Sequence, residues 1–350
     1  MQKTLIGCMT RLRRLAMAAL ACICLALATA CGRTPESVLI QGPIMGTTYT
    51  VRVQPEAGLP AGPELQAQIQ NRLETLNARL STWVESSDVV RFNRAEADLW
   101  FPVSADTVAV VSAAQRIAQA SEGAFDITVG PLVDLWGFGP LGQPERVPQA
   151  AEIERLLAAT GYQMLEVRTQ PPAMRKSHPE LSIDLSAIAK GYAVDELVVL
   201  LDREGYLHFM VEIGGEVRTR GLRPDGRPWR IALEKPLRGS REVLRVIPLS
   251  DRAVASSGDY RNYFEYDGRR YSHTIDPRTG WPVAHGLGAA SVVADTCMSA
   301  DAWATALMVL GADAGLRLAQ EQGLAANLIV ATEAGFDERM TEAYQALANP

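Results

Sequence analysis

Three short constellations hold side chains with chemistry to offer. The first is Asp184-Leu185-Ser186-Ala187-Ile188-Ala189-Lys190-Gly191-Tyr192, where an apolar run gives way to small residues and then to a helical pattern. Backbone N–H groups at such a junction, the positive end of a helix and the Lys190 ammonium together suit a phosphate. A plain tight turn explains the same residues equally well, and the run is neither a Walker loop nor a dinucleotide glycine fingerprint. The second is Asp301-Ala302-Trp303-Ala304-Thr305, which sets a carboxylate and a hydroxyl one helical turn apart on one face. Two hard oxygens suit Mg2+, which fills its shell with phosphates and water; the bland reading is an aspartate favoured near a helix N-terminus. The third is Tyr271-Ser272-His273-Thr274-Ile275-Asp276-Pro277-Arg278-Thr279-Gly280. Asp276-Pro277 and Thr279-Gly280 are turn chemistry, and His273 is the best-placed imidazole for proton transfer, though a lone histidine beside a turn also serves structure.

These groups need a scaffold, and the chain alternates strand and helix signals. Leu65, Ile69, Leu73, Leu76 and Leu80 recur at helical spacing behind Pro63. Further helices are expected over about 105–121 and 149–159, through Tyr192, Val194, Leu197, Val198 and Leu201, and over about 299–310 with a short helix after it. Strands are expected at 48–53, 181–185, 209–213, 229–233, 243–247, 287–293 and about 328–331. Residues 263–266 and 269–274 flank Asp267-Gly268, the strongest hairpin signal in the chain. Gly214-Gly215 marks a tight turn or a close approach to a ligand. Residues 123–144 read as an ordered loop that keeps Phe125, Leu132, Leu135, Trp136 and Phe138 for packing, and 170–180 as a polar surface loop. Trp100, Trp136, Trp229, Trp281 and Trp303 read as packing, and the charges of 218–230 as a solvated edge. Strands outnumber the crossovers of a simple parallel sheet, so the expected class is α+β, with largely antiparallel sheets flanked by helices.

The chain of 350 residues is 47% apolar and 21% charged, which excludes coiled-coil, collagen-like and disordered classes. Lys3, Arg11, Arg13 and Arg14 are the charged residues of the first thirty, so the body is net acidic and lacks the basic footprint of a nucleic-acid binder. Those basic residues lead into an uncharged apolar run that ends at Ala28-Thr29-Ala30, directly before Cys31. This is the layout of a cleaved export signal over residues 1–30, and Cys31 stands where a bacterial lipobox carries the lipidated thiol; the alternative is an ordinary secretory signal with an incidental cysteine. Residues 31–42 are then a lipidated anchor and short tether on a membrane. Cys297 would be the mature body's one cysteine besides Cys31; it reads as a buried small residue rather than a nucleophile, and four histidines form no zinc-type cluster.

Taken in order, the motifs resemble the ApbE family, the FAD:protein FMN transferases. They run through Met45-Gly46-Thr47, Leu80-Ser81-Thr82-Trp83, Gly123-Ala124-Phe125-Asp126, Val129-Gly130-Pro131, the Asp184 run, Ile213-Gly214-Gly215, Ser256-Ser257-Gly258, the His273 run and the Asp301 run. The resemblance implies one ApbE-like, T-fold-like domain over residues 43–345. It implies that Met45, Trp83, Ala124, Phe125, Asp126, Asp184, Lys190 and Ile275 hold FAD, which is the substrate. The Ala187 carbonyl, Asp301 and Thr305 are the implied Mg2+ ligands; some members carry a second aspartate where this chain has Ala304. The implied reaction moves FMN from FAD to a threonine of an exported acceptor protein of a membrane redox complex, releasing AMP, with Lys190 assisting and His273 receiving the threonine proton. The implied location is the periplasmic side of the inner membrane, through palmitate-type acylation at Cys31. Two rivals share the scaffold: a periplasmic FAD pyrophosphatase, with water as acceptor, and a non-catalytic flavin-binding lipoprotein.

Overall fold

The computed structural model describes residues 37–348 except 57, 61, 141, 143–145, 238, 240, 260–261 and 334. The signal segment and Cys31 lie outside the described residues. Eight strands form one fully antiparallel sheet: β1 (Val38–Ile44), β2 (Thr47–Val53), β3 (Phe209–Ile213), β4 (Glu216–Arg220), β5 (Ala253–Gly258), β6 (Leu287–Ala294), β7 (Ala325–Thr332) and β8 (Gly335–Met340). Their spatial order across the sheet is their chain order. Four long helices, α1 (Pro63–Leu80), α2 (Ala105–Ala120), α3 (Ala189–Glu204) and α4 (Cys297–Glu321), form the main core with one face of the sheet.

Each helix follows from local chemistry. In α1 the stripe Leu65, Ile69, Leu73, Leu76 and Leu80 is buried, each side chain stabilising by about 2 kcal/mol through transfer from water. Ser104 caps α2 by accepting from Thr107 N, and Gly205 ends α3 in the left-handed conformation. Arg72 of α1 reaches Asp106 of α2 at 2.8 Å and Glu196 of α3 at 2.6 Å, tying the three together. Helix α4 is long and apolar enough to cross a membrane, yet it lies largely inside the core, broken at Gly311 into the long and short helices expected there. The other face of the sheet is covered by the strand pair Trp229–Glu234 and Val243–Leu249 and by the helix Glu342–Ala348, around Trp229, Ile231, Ile247 and Tyr344.

Several expectations need correction. Residues 181–185 are not a strand beyond one bridge, Val129 to Ser182. Leu181, Ile183 and Leu185 alternate because they are buried, while side chains meet the backbone: Asn93 accepts from Ile183 N and donates to its carbonyl, and Lys176 Nζ donates to the Leu181 carbonyl. The expected loop 170–180 contains the strand Pro172–Lys176, paired with Leu165–Thr169. Its charge misleads because Lys176 is fully buried, with its ammonium spent on the carbonyls of Asn93, Pro179 and Leu181. Gly130–Leu135 is a short helix inside the expected loop. Arg218 sits on the interior strand β4, not a solvated edge, and pairs with Asp195 at 2.6 Å. The sheet begins at Val38, inside the stretch read as tether, and the last helix runs past 345 to Ala348. Strands β1, β4, β5 and β8 escaped the periodicity reading, β4 because its interior position is filled by charged residues that find partners.

Candidate active site

The junction before α3 has no side chain able to cap it. The N-cap residue is Ile188, so the early N–H of Gly191 needs an acceptor from elsewhere. Asp301 of α4 supplies it, with Oδ2 3.0 Å from Gly191 N. The two helices come this close because position 191 is glycine: a Cβ there would stand 2.4 Å from the Cys297 carbonyl oxygen. Asp195 fixes the start of α4 in turn, accepting from Cys297 N and from Met298 N at 2.9 Å each and from Arg218 at 2.6 Å. Thr296 caps the same end by accepting from Ser299 N. Asp301 and Thr305 thus project from a clamped helix start, and Thr305 Oγ1 lies 2.9 Å from Ser257 Oγ of β5.

A buried charge cluster results. Lys190 Nζ lies 3.0 Å from Glu216 Oε1 and 3.9 Å from Asp301 Oδ2. Glu216 is 3% exposed and its Oε2 has no partner. Burial pushes the Asp301 and Glu216 carboxyls up, with Lys190 opposing in both. Burial pulls the Lys190 ammonium down, but the two carboxylates outweigh it and hold it protonated.

These groups line a cavity of about 450 Å³. Trp83, Ala124, Phe125, Asp126, Asp184, Ala187, Lys190, His273, Ile275, Asp301 and Thr305 all border it. Trp83 is 68% exposed and offers a free ring face at the rim. Met45 is not among the lining residues; it occupies the turn between β1 and β2 with φ 48° and packs on the main core. The Asp126 carboxylate accepts from Thr128 N, Thr128 Oγ1 and Tyr162 N, so it braces the 123–131 loop at the cavity wall. Asp184 Oδ1 accepts from Ser186 N at 2.8 Å, which shapes the turn before Ala187.

His273 follows the hairpin of Tyr263–Tyr266 and Arg269–Ser272, which stacks on Trp136 through Tyr271 at 5.4 Å. Its Nδ1 lies 2.9 Å from the Asn262 carbonyl. A carbonyl only accepts, so Nδ1 carries the proton and Nε2 is left as an acceptor. Burial holds the imidazole below the ordinary histidine value, against the pull of the Asn262 carbonyl and of Asp259. The turn after it is as expected, with Asp276 accepting from Arg278 N and salt-bridged to Arg278 at 2.8 Å. Cys297 is fully buried, with Sγ against the Val217 carbonyl.

The ApbE family model matches residues 45–328. The chain belongs to the ApbE family. It is 43% identical over 321 residues to the FAD:protein FMN transferase of Vibrio cholerae serotype O1, spanning 92% of this chain and 96% of that protein. Its fold is similar to the solved flavin transferase ApbE from Vibrio cholerae, with a TM-score of 0.82 and 42% identity over 89% of this chain and 99% of that one. The apo flavinyl transferase ApbE of Pseudomonas stutzeri gives a TM-score of 0.83 at 41% identity, over 90% of this chain and 98% of that one. The α+β, largely antiparallel architecture is therefore that of ApbE flavin transferases.

Set against this family, sequence reasoning missed Glu216 and Asp195. Ala304 is fully buried, and Glu216 borders this cavity together with the carboxylates of Asp126, Asp184 and Asp301. The signal for Glu216 was the Gly-Gly turn immediately before it. Asp195 carried no signal, since its partners lie on α4 and β4. Ala187, Asp301 and Thr305 can offer only oxygen donors at the cavity wall, and among the described residues no group of three or more histidine, cysteine or acidic side chains is placed to hold a metal ion. Few protein oxygens beside an unpartnered carboxylate oxygen fit Mg2+, which keeps sites for phosphate and water.

Proposed function

We propose that this protein is an FAD:protein FMN transferase that uses Mg2+ and joins FMN to a threonine of an exported acceptor protein. The observation that carries the reading is one cavity that unites a Lys190–Glu216–Asp301 charge cluster, the oxygen set of Ala187, Asp301 and Thr305, and an imidazole with a free Nε2.

The threonine hydroxyl attacks the FMN-side phosphorus of FAD, forming a P–O bond as the P–O bond to AMP breaks. His273 Nε2 takes the hydroxyl proton; its orientation is set by Nδ1–H donating to Asn262. Lys190, kept charged by Glu216 and Asp301, neutralises developing charge on the phosphate oxygens. Asp301, Thr305 and the Ala187 carbonyl hold Mg2+, which supplies Lewis-acid neutralisation of the diphosphate when bound. Trp83 presents an exposed ring face to a flat ring system from the rim. The protein works on the periplasmic side of the inner membrane, anchored through Cys31; the export-signal layout supports that location.

AMP release measured with and without an acceptor domain tests the activity. Release that depends on both acceptor and Mg2+ is expected. Acceptor-independent release would mean a pyrophosphatase, and tight FAD binding without release would mean a carrier.

A further inference from the structure

A second cavity, of about 490 Å³, lies on the other face of the sheet, beneath the strand pair that carries Ile231 and Leu233. Its lining is polar, with Thr48, Thr50, Glu212, Arg241, Ser256 and Ser291. It shares Gly214, Ser256, Ser257 and Gly258 with the candidate active site, so these residues border both cavities and are what separates them.

The meeting point has a structural cause. Strands β4 and β5 pair only at Arg218 with Ala253 and Val217 with Val254. Beyond that, β4 turns away to the Gly214-Gly215 hairpin, while β5 continues to Gly258 along β6. Among the described residues, one backbone edge of residues 255–258 therefore has no strand partner. Strand alternation points neighbouring side chains to opposite faces. Ser257 Oγ touches Thr305 Oγ1 on the active-site face, and Ser256 Oγ lies 2.7 Å from Ser291 Oγ in the second cavity. Gly214 and Gly258 add no side chain at the gap.

Phosphoryl transfer places the attacking and leaving oxygens roughly in line, on opposite sides of phosphorus. The acceptor hydroxyl thus cannot arrive by the path along which AMP departs. We infer that the second cavity is the acceptor subsite: an extended, polar acceptor segment pairs its main chain with the free edge of residues 255–258 and presents its threonine through the gap between Gly214 and Ser257. The inference rests on the FMN-transfer reading. Pairing at a strand edge supplies affinity, and the alternation of side chains selects which residue reaches phosphorus.

The test uses the whole chain with FAD, Mg2+ and a flavin-free acceptor domain. Thr48→Trp and Thr50→Trp fill the second cavity without touching the first. KM for the acceptor is expected to rise about tenfold or more, with FAD affinity, read by flavin fluorescence, and kcat unchanged. A photo-crosslinking residue at Gln41 should attach to the acceptor segment around its threonine, and one at Asp313 should not; this arm decides if a tryptophan variant loses FAD binding by misfolding. Unchanged acceptor KM, or crosslinking confined to a probe at Trp83 or Tyr266, would overturn the subsite. A wild-type chain that modifies no acceptor would instead overturn the transfer reading.

Discussion

At the scale of single residues, neighbouring groups carry separable duties. Asp301 accepts from Gly191 N and is the carboxylate proposed to hold Mg2+. Asp301→Asn keeps an acceptor for the N–H and loses the charge, so transfer should fall about 100-fold and Mg2+ binding, followed by calorimetry, should weaken while the thermal midpoint stays close to wild type. Mg2+ affinity equal to wild type would contradict the assignment. In the proposed mechanism His273 takes a proton as the neutral imidazole, and burial holds its pKa below the ordinary value. Transfer should therefore be flat at neutral pH and fall only as pH drops through that lowered value, where the imidazole becomes charged and can no longer accept a proton. His273→Ala should lower the rate by about 100- to 10,000-fold and abolish this acidic limb, as a pH–rate profile reads directly. Residue type and spacing singled out His273, Asp301 and Thr305 as candidates, and the ApbE resemblance supplied the roles proposed for them; the structure brings all three to one cavity. Glu216 was not singled out, because an acidic residue after two glycines looks like any turn until the fold buries it beside Lys190.

At the scale of elements, the site depends on two helix starts held against each other. Asp195 accepts from two N–H groups at the start of α4 and from Arg218. Asp195→Ala leaves Arg218 without its partner and the helix start without acceptors, an expected loss of about 3–5 kcal/mol, measured by chemical denaturation. Gly191→Ala forces a methyl against the Cys297 carbonyl, 2.4 Å away, and should cost about 1–3 kcal/mol while weakening Mg2+ and FAD binding together. A Gly191→Ala protein with native stability and binding would show that close helix contact does not position Asp301. Helices with clear apolar stripes, such as α1, were legible because burial on one side writes a period into the sequence. The strand Pro172–Lys176 and the extended run 181–185 were misread for the converse reason: Lys176 and Asn93 satisfy backbone groups inside the core, so polarity and alternation no longer report exposure and pairing.

At the scale of the whole molecule, chain order and spatial order coincide along the sheet, while the long excursion between β2 and β3 delivers α1, α2 and the cavity wall around Phe125 and Asp184. That excursion explains why scattered motifs converge: Trp83, Asp184, His273 and Asp301 lie far apart in sequence and border one space. The antiparallel class was readable from the surplus of strands, but the convergence was not, because nothing local encodes which strands adjoin. The proposed lipid anchor at Cys31 belongs to this scale: Cys31→Ser should move the protein to the soluble fraction on envelope fractionation without altering transfer by the body. The central claim is group transfer to protein, and the most direct measurement is intact and fragment mass spectrometry of a flavin-free acceptor domain incubated with the chain from Gly32 onward, FAD and Mg2+. A mass gain of one FMN is expected, located on a single threonine and matched by released AMP. Free FMN and AMP beside an unmodified acceptor would contradict group transfer to protein.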